Sequence, residues 1–315
     1  MASAPILLNI ILIVSLVFFE NSMETKGHVL AIAVAISGVA QFIWLLEACR
    51  QNGSIPKLRR PRVTRRVKKL FKLMLPAVLG AGVVQINLLI DIILASTLPS
   101  GSISFLYFAD RINQLPLALI GIAIGTALLP KLSREIQRGE LEKAKKSQDH
   151  ALEFGMVLAL PAAVGLLVLS QPIISTLFER GAFSPTAVDA TAQTLFYYAV
   201  GLPAFIIIKV LQPSFFARYD TTTPVKVASY MVLTNLVLNI ILMQFLAHAG
   251  LALATSITAW LNAAILTFIL KQKGLHKHSK KTYVKLARTF MASVFMGIGL
   301  FGLIEFSADS IFSFK

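Results

Sequence analysis

Apolar residues fill this chain in long blocks separated by short polar connectors. Nine blocks are long enough to cross about 30 Å of hydrocarbon as helices. They run at 5–20, 28–48, 73–98, 103–130, 152–178, 187–211, 224–247, 250–271 and 285–306. The pattern predicts an all-α, polytopic integral membrane bundle of about nine transmembrane helices. No basic segment precedes the first block and no small-residue cleavage site precedes Glu20, so it reads as a retained helix rather than a signal peptide.

Charge gives the spans an orientation. Connector 49–72 carries Arg50, Lys57, Arg59, Arg60, Arg62, Arg65, Arg66, Lys68, Lys69 and Lys72 and no acid. Connector 131–151 is helical in character and holds six basic residues against four acidic. Arg218 lies in connector 212–223, flanked by Lys209 and Lys226, and connector 272–284 holds Lys273, Lys277, Lys280 and Lys281. The alternate connectors, 21–27, 99–102, 179–186 and 248–249, are short and poor in positive charge. Basic loops stay on the cytoplasmic side, so the alternation predicts a cytoplasmic N-terminus and an outside C-terminus.

Composition agrees with this class. At 56% hydrophobic and 14% charged residues over 315 positions, the chain is too apolar for a soluble domain. A net charge of +15 would suit nucleic acid only on a folded soluble surface, whereas here the cations sit in connectors, so no nucleic-acid partner is expected. The single Cys49 excludes an internal disulfide and any thiolate metal site. His28, His150, His248, His276 and His278 fall at span edges or in connectors, and the last two read as part of a solvated Lys-rich loop.

No Walker-type loop, HExxH or GxSxG is present, and no connector is long enough for a nucleotide domain, so neither a soluble catalytic site nor an ATP-driven pump is expected. What remains is a set of isolated polar residues on apolar helices, the pattern of a transporter lumen: Gln85, Asn87, Asp91, Asp110, Arg111, Asn235, Asn239, Thr255 and Asn262. For the amides, the competing reading is an interhelical hydrogen bond worth about 0.6 kcal/mol. Asp110 and Arg111 stand side by side within SFLYFADRINQLP (104–116). An arginine at membrane depth costs roughly 2.5–3.5 kcal/mol on insertion scales, which points to ion or substrate handling. The plainer alternative is a structural pair near a helix end, with Arg111 snorkelling to the interface. Asp91 reads equally as a proton-coupled acid or a partner for Arg111.

The run LPAVLGAGVVQINLLIDIILASTLPSGSISFLYFADRINQLPLALIGIAIGTALLPKLSR (75–134) resembles the seventh and eighth helices of the MurJ (MviN) lipid II flippases, within the multidrug/oligosaccharidyl-lipid/polysaccharide exporter superfamily. The resemblance continues through LFERGAF (177–183), VLQPSFFARYDTTTPVK (210–226) and HAGLALATSITAWLNA (248–263), and APILLNI (4–10) is similar to the family's fifth helix. The match runs in order from about the fifth to the thirteenth helix, so the chain looks like a truncated or fragmentary member. It implies one complete lobe of a two-lobe alternating-access transporter and part of the other. On that scheme 1–50 is the last two helices of an incomplete N-terminal lobe and 51–72 a basic cytoplasmic linker. Residues 73–272 form a six-helix C-terminal lobe, and 273–315 a basic loop with one extra helix.

The resemblance implies a function in cell-wall biosynthesis. It would be a flippase of the bacterial inner membrane, not an enzyme, moving the undecaprenyl-pyrophosphate-linked disaccharide-pentapeptide outward. Alternatives are the export of another lipid-linked oligosaccharide, or a non-transporting scaffold for cell-wall enzymes. Arg111 matches the family's C-lobe cavity arginine, implied to hold the pyrophosphate, with Asp110 orienting it. Gln114 stands where some relatives carry an acid. No cofactor is required, but Asp91, Asn235, Asn239, Thr255 and the carbonyl of Leu251 fall at the places of a sodium site seen in some relatives, with Na+ as the coupling ion. Lipid II and membrane lipids are the implied partners, together with a separately encoded N-terminal lobe.

Overall fold

The computed structural model describes residues 4–19, 25–51, 53, 64–274 and 280–312. Lys57, Arg59, Arg60 and Arg62 of the basic connector, with His276, Lys277 and His278, lie outside the described residues. The described residues form helices joined by short turns, and the chain divides into two compact units, Met1–Lys68 and Lys69–Lys315. In the first, α1 (Ala4–Phe19) packs against α2 (Lys26–Gln51). Among the described residues six helices are long and apolar enough to cross a membrane, so the chain is a multi-pass membrane protein.

The second unit carries most of α3 (Arg65–Ser96), then α4 (Ser102–Gln137), α5 (Leu141–Val168), α6 (Ser170–Phe178), α7 (Pro185–Phe216), α8 (Thr222–Gln272) and α9 (Lys280–Phe312). Its centre is α7. That helix is the most buried of the candidate spans and contributes to three apolar clusters. With α4 and α5 it packs through Ile206 and Val210, with α8 through Leu211 and Phe215, and with α4 and α6 through Val188 and Leu195. Its start is well defined: Ser184 accepts a hydrogen bond from the Ala187 N–H at 3.3 Å, and Pro185 occupies the first turn.

Connector 131–151 is a helical hairpin. α4 ends in a turn at Arg138–Glu140 where Gly139 takes φ 73°, and the Ser147 hydroxyl donates back to Glu135 at 2.8 Å. Span 152–178 is not one helix. It is interrupted at Leu169, where Pro172 has no N–H to give the Val168 carbonyl. α5 and α6 therefore meet at Leu169. The expected boundary between spans 224–247 and 250–271 appears as a break inside α8 at Ala247, with φ 48°. The two halves run antiparallel, since Asn235 reaches Thr258 across them at 3.4 Å. Gly250 sits so close to the Leu242 carbonyl that a side chain would not fit.

At the α7–α8 turn, Asp220 accepts from the Thr223 N–H at 3.0 Å, its hydroxyl at 2.8 Å and Lys273 Nζ at 2.7 Å. Burial works to raise the Asp220 carboxyl, but these hydrogen bonds and the lysine charge outweigh it and hold the group below the usual carboxylate range. On the other side of the unit, α9 rests on α5. Gly297 lies against Val164, and Glu153 accepts from Thr282 at 2.8 Å and Lys285 at 2.7 Å.

Candidate functional site

Polar residues on α4 recur at Asp110, Asn113 and Gln114, a spacing that puts all three on one helical face. In the structure that face, continued by Leu117, Ala118, Gly121 and Ile122, forms one wall of a cavity of about 390 Å³. Tyr198, Phe205 and Lys209 of α7 and Thr255 of α8 complete the lining. Within it, Gln114 donates to the Asp110 carboxylate. Asn113 is 3% exposed, and its Oδ1 has no hydrogen-bond partner among the described residues. A buried acceptor left unpaired costs about 1–3 kcal/mol, so this oxygen suits a donor brought by a ligand. The cavity can thus accept hydrogen bonds at Asp110 and Asn113 and offer a cation at Lys209.

Arg111 is not part of that wall. One residue on from Asp110, it is turned about 100° around the helix. Its guanidinium instead lies 4.8 Å from the centre of the Tyr107 ring, one turn earlier on the same face, and the residue is exposed. Lys209 is the site residue that reading by connectors missed, having been grouped with the cytoplasmic loop that follows. The legible signal was its place inside an apolar helix, between the buried Ile208 and Val210.

The five residues implied for sodium fall into two groups. Asp91 Oδ1 accepts from Asn239 Nδ2 at 2.7 Å, and that amide also donates to Asn235 Oδ1 at 2.9 Å. Asn87 donates to the other Asp91 oxygen at 3.2 Å, and Asn235 passes the chain on to Thr258. Thr255, by contrast, donates to the Leu251 carbonyl at 3.0 Å, the common one-turn bond of a helical threonine. Asn239 is fully buried, and its Oδ1 has no partner among the described residues. A carboxylate beside an unpaired amide oxygen is a donor set that fits a hard cation. Of the other polar candidates, Gln85 is exposed, and Asn262 has a buried Oδ1 with no hydrogen-bond partner among the described residues.

Residues 1–314 match the profile of the family described as Lipid II flippase MurJ. A probable lipid II flippase MurJ of Rhizobium meliloti is 40% identical over 98% of this chain and 58% of its own length. The solved structure of lipid II flippase MurJ in an inward closed conformation superposes with a TM-score of 0.76 at 26% identity, covering 98% of this chain and 67% of that one. An outward-facing multidrug resistance MATE transporter of the MOP superfamily, at 20% identity and TM-score 0.53 over 73% of this chain and 53% of its own, shares the fold. The chain thus spans between half and two thirds of the relatives it matches, and over that span it belongs to the MurJ lipid II flippase family.

Proposed function

We propose that this chain supplies the cargo-handling C-terminal lobe of a lipid II flippase of the bacterial cytoplasmic membrane. The single observation that carries the reading is a cavity, walled by α4, α7 and α8, whose lining sets Asp110, Asn113, Gln114 and Lys209 among apolar side chains. Polar lining at membrane depth is retained where a polar cargo must pass. The head group of an undecaprenyl-pyrophosphate-linked disaccharide-pentapeptide would occupy the cavity while its lipid tail stays in the bilayer, and the lobes would rock to change its exposure. The cycle needs no hydrolysis, since one charge moving through 100 mV supplies about 2.3 kcal/mol.

Asp91 and Asn239 would hold a coupling cation. Sodium, when bound, supplies a positive charge that offsets the carboxylate. Asp91 and Asn239 themselves tie α3 to the first half of α8, so occupancy and helix position are linked. The test is depletion of the resident flippase in a bacterium that expresses this chain, alone and joined to the preceding part of a relative. Lipid II should reach the outer leaflet in the joined form. Failure of the joined form at normal protein level rules the reading out.

Orientation has its own measurement. Gly101 and Gly139 cap opposite ends of α4, which at 1.5 Å per residue is about 54 Å long. With Cys49 changed to Ser, a cysteine at Gly101 or Gly181 should react with an impermeant thiol reagent in intact cells, and one at Gly139 should not. Labelling at Gly139 alone reverses the proposed cytoplasmic N-terminus.

A further inference from the structure

A second recess, of about 470 Å³, opens between α5 and α9 near the end at which both helices leave a basic connector. His150, Glu153, Phe154 and Val157 recur on one face of α5, and Lys285 and Arg288 line the recess from α9. Nothing in the proposed transport cycle uses it.

Two kinds of surface meet there. Towards the connectors the lining is charged. Glu153 has both carboxylate oxygens engaged, one by the Thr282 hydroxyl and the other by Lys285 Nζ. Arg288, one turn beyond Lys285, is exposed and forms no ion pair among the described residues. The one carboxylate is thus matched by Lys285, which leaves Arg288 as surplus positive charge and the His150 ring as a further donor. Deeper along α5 the lining turns apolar, and Phe154 and Val157 are each about half exposed. Val157 lies seven residues beyond His150, about 10 Å along the axis. That step exceeds the roughly 5–7 Å depth of one head-group layer, so the recess runs from head groups into hydrocarbon.

The helix beside it is thinly held. Among the described residues α9 packs along α5 and no other helix, and closes on it at Gly297 against Val164. A molecule seated in the recess would touch both members of that pair.

We infer that the recess binds an anionic phospholipid of the phosphatidylglycerol type, which clips α9 to α5. The Arg288 guanidinium would donate to the phosphate in bidentate fashion, with the His150 ring as a second donor. The acyl chains would lie on Phe154 and Val157. Basic recesses between membrane helices suit anionic head groups, whereas a choline head group would bring its own cation into a positive surplus. With a cytoplasmic N-terminus the lipid belongs to the inner leaflet. The site needs no cargo and is independent of the flippase reading.

The test uses the purified 315-residue chain, stripped of lipid in detergent, with phosphatidylglycerol and phosphatidylcholine as probes. Native mass spectrometry reads retention, and amide hydrogen exchange reads the hold on α9. Wild type should retain one phosphatidylglycerol more tightly than phosphatidylcholine, and exchange in α9 should slow when it does. Arg288→Gln should weaken retention about fivefold, or about 1 kcal/mol at 1.4 kcal/mol per tenfold, the worth of one basic residue at an anionic surface. Arg288→Lys should recover only part of the loss, since lysine keeps the charge without the planar fork. Val157→Trp, which fills the recess from an exposed position, should also lower retention, and Arg138→Gln in the α4–α5 turn should not.

Equal retention of both lipids by wild type would overturn the anionic assignment. Unchanged retention in Arg288→Gln and Val157→Trp together would place the lipid elsewhere and overturn the site. Retention with no slowing of exchange in α9 would overturn the clip. Displacement of the lipid by equimolar inorganic phosphate would make this a free-anion site, and tighter binding of geranylgeranyl diphosphate would make it a cargo subsite; either result overturns the phospholipid assignment. Should Arg288→Gln fail to fold, Val157→Trp decides the same question.

Discussion

Gly201→Val should be among the most damaging single changes in the second unit, lowering its Tm by roughly 5–10 °C. A Cβ at position 201 would lie 2.6 Å from Ser256 Oγ and 2.9 Å from Ser256 Cα, and the second contact is backbone, which cannot swing aside. α7 and α8 would have to separate. Overpacking of this kind costs about 1–3 kcal/mol. The separation would also strain the bonds from Ser256 to the Tyr197 carbonyl at 2.6 Å and from Trp260 to the Val200 carbonyl at 3.0 Å, each worth about 0.6 kcal/mol in a membrane bundle. At about 2–4 °C per kcal/mol for a domain of this size, the sum reaches the stated shift. Gly125 serves as the control, because nothing lies within 4 Å of a side chain placed there. Gly125→Ala should melt with wild type in a detergent thermal scan. A Gly201→Val variant that also melts with wild type would show that the α7–α8 contact is looser than drawn.

Sodium should raise the melting temperature relative to potassium at equal ionic strength, and Asp91→Asn should abolish the difference. A ligand that binds only the folded form stabilises it by RT ln(1 + [L]/Kd), about 2.7 kcal/mol at a hundredfold excess over Kd. Asn239→Ala should shrink the sodium effect, since it removes both the unpaired Oδ1 and the 2.7 Å donor to Asp91. Thr255→Val separates two versions of the site. If Thr255 and the Leu251 carbonyl complete it, the effect falls. If the threonine is only bonded within its own helix, as its 3.0 Å contact to Leu251 shows, the effect stays. Equal melting of wild type in both salts, with calorimetry detecting no binding, would remove sodium and leave Asp91 as a structural or proton-carrying acid.

The polar residues of α4 show how far a linear reading reaches. Asp110, Asn113 and Gln114 share a face by their spacing alone, and the structure lines a cavity with that face. Arg111 drew attention because a membrane arginine is costly, yet cost says nothing about direction around the helix. The same limit hid Lys209, whose neighbours in sequence are a loop but whose neighbours in space are Gly121 and the cavity. In the polar network around Asp91, Asn239 bonds the carboxylate and Asn235 bonds Asn239, and the hydroxyl that joins them is Thr258 rather than Thr255. Which of two threonines three residues apart is turned toward Asn235 depends on how the halves of α8 are rotated against each other.

The apolar blocks, the helical character of connector 131–151 and the boundary near 247 were written in the chain, because apolar length and turn residues act through local backbone chemistry. The interruption at Leu169 was not legible, since Pro116, Pro130, Pro161, Pro203 and Pro213 all sit inside continuous helices. The face each helix turns inward was not so written. α7 and α8 are apolar nearly all round, so hydrophobicity alone selects no side of them. Their rotations are set by close contacts such as Gly201 on Ser256 and Gly155 between Ile124 and Ile206, which join residues far apart in sequence. Tertiary packing therefore decided that Lys209 faces the cavity, that Arg111 lies over Tyr107 outside its wall, and that Asp91 meets Asn239 across 148 residues of chain.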